Sequence, residues 1–431
     1  MSNWTEEILS EHIGLRHGYQ FRETDFTENG IQVIKIGNVT DDGLNLDAAV
    51  SYVSATRVSE FENIILAEGD ILMSLTGNIG RVVEVKNLGN LVLFQNYRVG
   101  VFFPLNDRIF KPFIRCILSS DDLLRQLNSH SNQSAQANFG KQDLDKLKFK
   151  IPSIHEQRQI ATILSTADAV IEKTQSAIAK YKAIKQGMLQ DLFTRGIDTT
   201  TGKLRPSYQD APELYKESKL GWIPKEWEVE IFGEQIELVH GHQFRNYDFT
   251  EFGVPVVKIG QVKPENVDLS NCSFVSADRM EEFRNETIRN DDVLMALTGA
   301  TLGKACLVRG LSNPVLQNYR VGRFEPKIKE NDIDKSYLYY TLTAGELLNQ
   351  IFNKVNSGAQ GNIGKADFEK ALLKKPQFNE QKLIAERLNS LNQKLQTEQD
   401  FLHKQQQIKA GLMGDLLSGK KQVIIKEELA L

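Results

Sequence analysis

The feature that most constrains the fold of this 431-residue chain is an internal repeat that spans nearly its whole length. The segment HGYQFRETDFTENG begins at His17 and returns as HGHQFRNYDFTEFG at His240, an offset of 223 residues. FQNYRVGVF at Phe94 returns as LQNYRVGRF at Leu316, an offset of 222 residues. The order of the segments is kept, and the unit is far longer than the roughly 20 to 45 residues of a solenoid repeat. The sequence therefore predicts a duplicated module.

The first part of each copy is rich in residues that favour strands. IQVIKIGNV, ILMSLTG and LVLFQNYRVGVFF contain many Val, Ile and Phe residues and are separated by Gly, Asn and Asp. Runs of β-branched and aromatic residues bounded by turn residues are typical of strands. A helix is expected among them, beginning at Lys111. We therefore expect an α+β globular domain that is mostly β.

The second part of each copy has the pattern of one long helix. Apolar residues step by four and three from Ile160 to Ile184 in the first copy, and from Ile384 to Ile408 in the second with two polar interruptions. This spacing is the seam of a coiled coil. The predicted fold class is therefore α+β and internally duplicated, with two mostly-β domains, each followed by a long helix, and the two helices pairing as an antiparallel coiled coil.

Shifts in composition predict six segments along the chain. The stretch between the copies is polar and contains Gly, Pro and Thr with little periodicity, which favours a linker. The predicted segments are globular domain 1 (1–153), helix 1 (154–195), the linker (196–226), globular domain 2 (227–377), helix 2 (378–419) and a C-terminal tail (420–431).

Bulk composition narrows the class of protein. With 41% apolar and 25% charged residues, the chain has the composition of an ordinary globular protein. The three cysteines, Cys116, Cys272 and Cys306, form no CxxC pair. We therefore expect neither a disulfide framework nor a metal site, and we expect a cytoplasmic location. No signal peptide or membrane-spanning run is apparent in the sequence. The net charge of −4 does not by itself indicate nucleic-acid binding.

Two similar globular domains held apart by a helical spacer suit a divided target, and DNA with two half-sites is the natural candidate. The segment QNYRVG, present in both copies, combines side chains that can bond to adenine and to guanine. An alternative remains open, in which the segment is a strand whose polar residues face water. The predicted DNA contacts in this segment are Gln95, Asn96, Tyr97, Arg98, Gln317, Asn318, Tyr319 and Arg320.

Further candidate DNA contacts are amide, hydroxyl and cationic side chains near glycine-rich loops or within strand-like runs. Backbone N–H groups in such loops can hold phosphate, although plain turns and hairpins explain the same pattern. These candidates in the first copy are Gln20, Arg22, Lys35, Asn38, Thr76, Asn78, Gln136, Asn138 and Lys141. Those in the second copy are Gln243, Arg245, Lys258, Gln261, Thr298, Lys304, Gln360, Asn362 and Lys365.

Catalytic motifs are missing from the sequence. There is no GxxxxGK[ST], no NPPY-like or DPPY-like quartet, no HExxH and no GxSxG. We therefore expect a binding protein with no catalytic residue and no cofactor of its own. Two rival hypotheses are an enzyme with an unrecognised site and a structural coiled-coil protein with adhesive heads. Salt-dependent DNA binding would exclude the second of these.

The whole pattern resembles the specificity subunit of type I restriction-modification systems. The resemblance rests on a globular domain, a segment like IPSIHEQRQIA, and a long helix ending like KQGMLQDLFTRG, all of it repeated. It covers essentially the whole chain. It implies that each globular domain is a target recognition domain, which reads one half of a bipartite site in double-stranded DNA. The helices would then set the spacing between the half-sites.

The resemblance also implies partners. Two modification subunits would dock on the helices and methylate adenine using S-adenosylmethionine, and restriction subunits that use ATP and Mg would join them. Glu156, Gln157, Glu380 and Gln381 would lie at the start of the docking helices, where acidic residues are also favoured by the helix dipole. The alternative within the family is a subunit of a modification-only or orphan system.

The two globular domains of this chain are unusually alike. We therefore expect half-sites that are related in sequence and arranged as inverted or near-inverted repeats. Four positions at which the copies differ are candidates for what makes the halves unequal: Tyr19 and His242, Asn38 and Gln261, Asn78 and Ala300, and Phe139 and Ile363.

Overall fold

The computed structural model describes residues 4–41, 43–131, 139–264, 266–327, 332–355 and 362–421. The chain divides into two compact units. Unit 1 combines Met1–Ser176 with Gln399–Leu431, and unit 2 is Ala177–Glu398. Each long helix therefore begins in one unit and ends in the other.

Unit 1 is built from short strands and three short helices ahead of the first long helix. Its strands are β1 (Thr5–Ile8), β2 (Ile13–His17), β3 (Phe26–Thr27), β4 (Ile31–Ile34), β5 (Val39–Thr40), β6 (Gly43–Leu44), β7 (Tyr52–Val53), β8 (Ile71–Ser74), β9 (Val82–Glu84), β10 (Leu93–Gln95), β11 (Val99–Pro104) and β12 (Lys148–Ile151). Its short helices are α1 (Lys111–Leu118), α2 (Asp121–Ser131) and α3 (Lys141–Leu144), and α4 (Ile154–Thr194) begins here.

Two four-stranded sheets form the body of unit 1, in the orders β2–β11–β8–β9 and β10–β4–β7–β3. Strand β8 is buried on both faces, because Ile71 and Met73 pack into the core that contains helix α1, while Leu72 packs into a second core. Successive side chains of a strand point to opposite faces, so the first sheet lies between these two cores. Two smaller pairings, β1 with β12 and β5 with β6, complete the unit.

Unit 2 repeats this plan. Its strands are β13 (Tyr215–Ser218), β14 (Gly221–Pro224), β15 (Glu228–Ile231), β16 (Ile236–His240), β17 (Phe249–Thr250), β18 (Val254–Val257), β19 (Ser273–Val275), β20 (Thr287–Ile288), β21 (Val293–Ala296), β22 (Ala305–Leu307), β23 (Val315–Gln317), β24 (Val321–Pro326) and β25 (Leu372–Lys375). Its helices are α5 (Phe232–Gln235), α6 (Lys335–Thr343), α7 (Glu346–Val355), α8 (Lys365–Glu369) and α9 (Phe378–Leu417), of which α9 ends in unit 1.

The sheets of unit 2 match those of unit 1 strand for strand. The order β16–β24–β21–β22 corresponds to β2–β11–β8–β9, and β17–β19–β18–β23–β20 contains the equivalents of β3, β7, β4 and β10 with one extra edge strand. The pairing register is also preserved, since Gly100 lies opposite His17 and Gly322 lies opposite His240. The predicted internal duplication and the α+β class are confirmed.

The long helices pair within each unit and run antiparallel. In unit 1, Leu164 of α4 shares a core with Leu416 and Leu417 of α9, and Asp168 forms an ion pair with Lys409 at 2.6 Å. Later residues of α4 therefore contact earlier residues of α9, as in an antiparallel pair. In unit 2, the end of α4 shares a core with the start of α9, where Leu192 and Leu388 are both buried. The antiparallel coiled coil is confirmed.

The predicted helix seam is wrong at one position of each helix. Ile184 and Ile408 are 40% and 43% exposed, although both continue the apolar repeat. A straight α-helix drifts by about 20° per heptad relative to a strict seven-residue repeat. Buried leucines beyond these positions include Leu189 on α4 and Leu416 on α9, which are 8% and 6% exposed.

The segment predicted as a linker is ordered. Strands β13 and β14 form a hairpin in it, and Ile197 bridges to Leu204. Arg205 forms a buried, two-point ion pair with Glu380 at the start of α9, with Nη2 and Oε2 3.1 Å apart. A Cβ atom at Gly196 would lie 2.2 Å from the Glu380 carboxylate, so glycine is required where the chain leaves α4. The segment therefore holds the end of one helix against the start of the other.

No helix in the described part of the chain is both long and apolar enough to cross a membrane. The predicted C-terminal tail lies outside the described residues from 422 onward.

Candidate nucleic-acid interface

The Asn-Tyr-Arg turn joins β10 to β11 in unit 1. Gln95 is fully buried there, and its Nε2 donates to the carbonyls of Arg16 and Val99 at 2.9 and 2.7 Å. The Oδ1 of Asn96 accepts from the backbone N–H of Arg98 at 3.1 Å. The Nε2 of Gln95 and the Oδ1 of Asn96 are thus used in shaping the turn. Contact of the Gln95 Nε2 with a base would require its bonds to break, so we assign Gln95 a supporting role.

The same turn recurs between β23 and β24. The Nε2 of Gln317 donates to the carbonyls of Val239 and Val321 at 2.9 and 2.8 Å, and Asn318 accepts from the backbone N–H of Arg320 at 3.3 Å. Buried polar groups are costly unless they are bonded, so this pattern fixes the turn. The sequence pattern does not separate a buried supporting amide from one that faces DNA.

The tyrosine and arginine of each turn lie at the surface as a pair. The Nε of Arg98 donates to the Tyr97 hydroxyl at 2.7 Å, and its guanidinium carbon lies 5.2 Å from the ring centroid. Arg320 and Tyr319 repeat this arrangement at 2.7 and 5.3 Å. Both arginines are exposed. A guanidinium already held by its neighbour loses less conformational freedom on binding a phosphate or a base edge.

A cleft of about 760 Å³ opens beside this turn in unit 2. Three predicted segments meet there, because Thr298 bridges to Asn362 and the backbone N–H of Ile363 donates to the carbonyl of Leu297 at 3.0 Å. The lining includes Thr298, Ala300, Tyr319, Arg320, Asn362 and His240. Residues far apart in the chain therefore form one concave polar surface, as expected of a binding site.

Unit 1 brings the equivalent segments together. The backbone N–H of Phe139 donates to the carbonyl of Leu75 at 2.8 Å, which places the start of α3 beside the loop that carries Thr76 and Asn78. Thr76 is half-buried and Asn78 is exposed. Three of the predicted contacts, Gln136, Asn138 and Gln360, lie outside the described residues.

Chain segments cross closely beneath each turn. A Cβ atom at Gly18 would lie 2.1 Å from the carbonyl oxygen of Gln95, and one at Gly241 would lie 2.1 Å from that of Gln317. Only glycine allows this approach. The next residue in each copy then bridges to the asparagine of the turn, Tyr19 to Asn96 and His242 to Asn318. The backbone N–H groups of Tyr97 and Tyr319 donate to the carbonyls of Tyr19 and His242 at 3.0 and 2.9 Å, so the backbones of these residues adjoin the turns.

Two of the predicted lysines, Lys35 and Lys258, already make contacts within the protein. The Nζ of Lys35 donates to Ser51 at 2.6 Å and lies 4.1 Å from the centroid of the Phe26 ring. Burial lowers the pKa of Lys35. Lys258 makes the matching contacts, with Ser273 at 2.7 Å and the Phe249 ring at 4.0 Å. Both ammonium groups are half-buried, so only their remaining donor capacity is available to phosphate.

Asn38 and Gln261 also act within the protein. The Oδ1 of Asn38 accepts from the backbone N–H of Lys35 at 2.8 Å, and its amide donates to two loop carbonyls. Gln261 accepts from the backbone N–H of Lys258 at 3.2 Å and donates to the carbonyl of Asn271 at 3.0 Å. Asn38 is fully buried. These side chains close a loop, and we assign them a supporting role.

The remaining predicted contacts are surface side chains: Gln20, Arg22, Lys141, Gln243, Arg245, Lys304 and Lys365 are all exposed. The turns after Gln20 and Gln243 are held by Asp25 and Asp248, which accept from the backbone N–H groups of Arg22 and Arg245. These bonds lower the pKa of both carboxyl groups, and ion pairs with Arg57 and Arg279 lower it further. Lys365 lies 3.3 Å from Glu237.

Two exposed aromatic residues in unit 2 were missed by the sequence analysis. Tyr247 and Phe252 are 83% and 80% exposed. Unit 1 has Thr24 and Asn29 at these positions of the repeat. Comparing the copies position by position would have drawn attention to both. Within the described ranges, no group of three or more His, Cys, Asp or Glu residues is placed to hold a metal ion.

Comparison with known proteins agrees with this duplicated geometry. The family model described as "Type I restriction modification DNA specificity domain" matches residues 1–180 and again 224–410. The MjaVIII specificity subunit of a type I restriction enzyme from Methanocaldococcus jannaschii is 27% identical over 300 residues, which cover 69% of this chain and 67% of that protein. The putative MjaX specificity subunit from the same organism is 23% identical and covers 91% of this chain and 88% of its own length.

Among solved structures, the crystal structure of a type I restriction-modification S subunit from M. genitalium matches with a TM-score of 0.61. The match covers 96% of each chain at 17% identity, and thus supports the fold. With two copies of the family's domain covering most of its length, the chain belongs to the family of type I restriction-modification specificity subunits.

Proposed function

We propose that each unit binds one half of a bipartite double-stranded DNA site, through the surface formed by the Tyr-Arg pair and the neighbouring Thr-Gly loop. The observation that carries this proposal is that one polar turn, with the same internal bonds, is built twice from residues 222 positions apart, as Gln95 and Gln317 are. Arg98 and Arg320 would contact guanine or phosphate, and Tyr97 and Tyr319 would hold them in place.

The acidic balance of the chain is compatible with this role because charge is distributed unevenly. Lys304 follows the Thr-Gly loop of unit 2, and Arg81 takes the equivalent place in unit 1. Together with the exposed Arg98 and Arg320, these residues would supply cations for phosphate within a chain whose net charge is −4. Binding should weaken steeply as salt is raised, since contacts to phosphate release counterions.

We further propose that the paired helices dock two modification subunits, and that restriction subunits join them. The exposed seam residues Ile184 and Ile408 support this idea, because each presents an apolar side chain to solvent, as Ile154 on α4 and Phe401 on α9 also do. S-adenosylmethionine, ATP and Mg would be bound by those partners, in the cytoplasm. The specificity subunit itself would contribute no catalytic residue.

The test is methylation mapping. The chain is expressed with its modification subunit in a host that lacks DNA methylation, and the DNA is sequenced by a method that detects methyladenine. We expect one bipartite motif with a fixed gap. An assembled complex that adds no methylation would contradict the proposal, as would methylation or cleavage by the purified chain alone.

Point variants then test the surface. Arg98→Ala and Arg320→Ala should each weaken binding of the cognate DNA by about 10-fold to 100-fold, the range for losing one good base contact. Lys421→Ala removes an exposed cation that follows α9 and pairs with Asp415 at 3.2 Å, and it is the control. A loss of binding in the control as large as in the arginine variants would show a non-specific charge effect.

A further inference from the structure

The two binding surfaces are matched in geometry as well as in sequence. The Arg-Tyr hydrogen bond is 2.7 Å in both units, and the lysine-to-phenylalanine distances are 4.1 and 4.0 Å. The aspartate that closes the neighbouring turn lies 2.8 Å from an arginine in each unit, Arg57 or Arg279. Surfaces that place the same groups at the same distances present the same donors and acceptors to DNA.

Of the four candidate pairs of positions named from the sequence, two have side chains that bond or pack within the protein. Asn38 is fully buried, and its counterpart Gln261 bonds to the same loop. Phe139 and Ile363 are 6% and 2% exposed and fill the core. Differences between buried side chains change packing, and they offer no new group to a ligand. Among these four pairs, the exposed ones are Tyr19 against His242 and Asn78 against Ala300.

The side chains of Tyr19 and His242 occupy equivalent positions in the two units. The Tyr19 ring packs on Phe21 and Phe61 at centroid distances of 5.0 and 4.9 Å. The His242 ring packs at 4.9 Å on each of the two equivalent phenylalanines. The aromatic pair thus fixes the ring, and the exposed edge differs in its chemistry. Tyrosine offers one hydroxyl, whereas neutral histidine offers a ring donor and a ring acceptor.

Asn78 and Ala300 follow the glycine of the Thr-Gly loop, and both are exposed. Ala300 lines the cleft of unit 2. An asparagine amide can make two hydrogen bonds to adenine, whereas an alanine methyl group can only pack, for example against the methyl group of thymine. Exchange of one for the other therefore changes which base pair is preferred.

We infer that the two units read the same half-site except at the base pairs that face positions 19/242 and 78/300, and that these residues determine the difference. This inference rests on the proposed DNA-binding function. Gln20, Arg22 and Arg98 are identical to Gln243, Arg245 and Arg320, so the bases that these residues contact should be shared.

The experiment maps methylation by the native complex and by two double variants. The native complex should methylate a motif whose inverted halves match at all but one or two base pairs. Tyr19→His with Asn78→Ala gives unit 1 the side chains of unit 2, so its motif should become a perfect inverted repeat of the unit 2 half. His242→Tyr with Ala300→Asn should yield the inverted repeat of the other half, and this reciprocal variant guards against misfolding of the first.

Tyr247→Thr with Phe252→Asn is the matched control. It converts two other exposed residues of unit 2 into their unit 1 counterparts and should leave the motif unchanged. The preference for the swapped base over the native one should change at least about tenfold in the double variants and not in the control.

Several results would overturn the inference while leaving the proposed function intact. These are a native bipartite motif with unrelated halves, double variants that keep the native motif, or a control that converts it. Complete absence of a methylated motif from an assembled native complex would instead contradict the proposed function itself.

Discussion

Units 1 and 2 keep the same outer turn but support it with different residues. In unit 1, Arg16 of β2 reaches Asp70 at 3.5 Å and lies opposite Val101 of β11. In unit 2 the pair is reversed. Val239 occupies the first strand, and Arg323 of the paired strand lies 4.0 Å from Asp292. In unit 2 the arginine therefore lies on the neighbouring strand, and it still faces the aspartate equivalent to Asp70.

The arrangement in unit 2 leaves a buried polar atom of the turn without a hydrogen bond in the described structure. In unit 1, the Nε of Arg16 also donates to the Oε1 of Gln95 at 3.1 Å, whereas the corresponding oxygen of Gln317 has no hydrogen-bond partner in the described structure. The outer turn has the same residues in both units, Gln-Asn-Tyr-Arg. The layer beneath it needs only to satisfy its buried polar groups and fill its volume, which several residue combinations achieve.

The contact between the globular body and the long helices differs more strongly. In unit 1, Asp168 of α4 lies 2.6 Å from both Arg115 and Lys409, beside a cavity of about 280 Å³ that Cys116 helps to line. In unit 2, Tyr340 stands at the position of Cys116 in the repeat. Its hydroxyl bonds to Asn389 at 2.9 Å and to Asn392 at 2.7 Å.

The start of each long helix shows the same asymmetry. Glu380 of unit 2 is 2% exposed and paired with Arg205. Glu156 of unit 1 is half-buried and has no cationic partner: it accepts from the Trp4 indole at 3.2 Å and from the backbone N–H and hydroxyl of Ser153 at 3.0 and 2.7 Å in the described structure. Unit 2 is therefore fastened to its helices by buried polar contacts that unit 1 lacks. The difference indicates that unit 2 is the more sensitive to substitutions at this contact.

The largest expected effect comes from breaking the ion pair of unit 2. Arg205→Met leaves the Glu380 carboxylate buried without its partner, which should lower the free energy of unfolding by about 3 to 5 kcal/mol. Chemical denaturation of the full chain in its complex measures this loss of stability. Glu156→Gln is the matched control in unit 1 and should cost less than about 1 kcal/mol. Equal losses would remove the asymmetry between the units.

The second effect tests the reversed arginine. Arg323→Val removes a buried cation beside Asp292 and should cost about 2 to 3 kcal/mol. Adding Val239→Arg recreates the arrangement of unit 1 and supplies a donor for Gln317, so most of the loss should be recovered. If the double variant is no more stable than the single one, the two strands are not interchangeable supports.

The third effect concerns Tyr340, which stands at the repeat position of the cavity-lining Cys116. Tyr340→Phe removes the hydroxyl between two asparagines and should cost about 1 to 2 kcal/mol, measured by thermal unfolding. Tyr247→Phe removes a hydroxyl from a side chain that is 83% exposed and should leave stability unchanged. A neutral result for Tyr340→Phe would mean that the two asparagines find other partners.

The smallest effect is a difference in thiol reactivity. Burial raises the pKa of Cys116 and of Cys306 to about 12, and it raises the pKa of the half-buried Cys272 less. A thiol reacts as its thiolate, which forms as pH rises toward the pKa. Alkylation of the folded protein at pH 8 should therefore label Cys272 first, as peptide mass spectrometry can show. Early labelling of Cys116 would mean that its cavity opens in solution.

The duplicated architecture was predictable because local sequence patterns indicate it. The heptad spacing around Ile160 and the repeat at His17 each involve many residues, so single exceptions do not obscure them. The roles of individual polar residues were not predictable. Gln95 carries the same amide whether it faces DNA or closes a turn, and only the fold shows that it is buried.

Long-range pairings were also beyond the sequence. Arg205 lies in a stretch with the composition of a linker, and its partner Glu380 is 175 residues away. No periodicity links such positions. The exposure of Ile184 has a different origin, since the heptad pattern continues after the geometry of a straight helix has rotated the residue away from its partner.

The exchange of helix ends between the units has a consequence for how the chain folds during synthesis. Leu416 completes a core that contains Leu164, 252 residues earlier. At a typical elongation rate, the first half of the chain waits about 10 to 50 s with that apolar surface uncovered. Such a delay favours capture by chaperones, and it makes the last turn of α9 the step that commits the nascent protein to its native form.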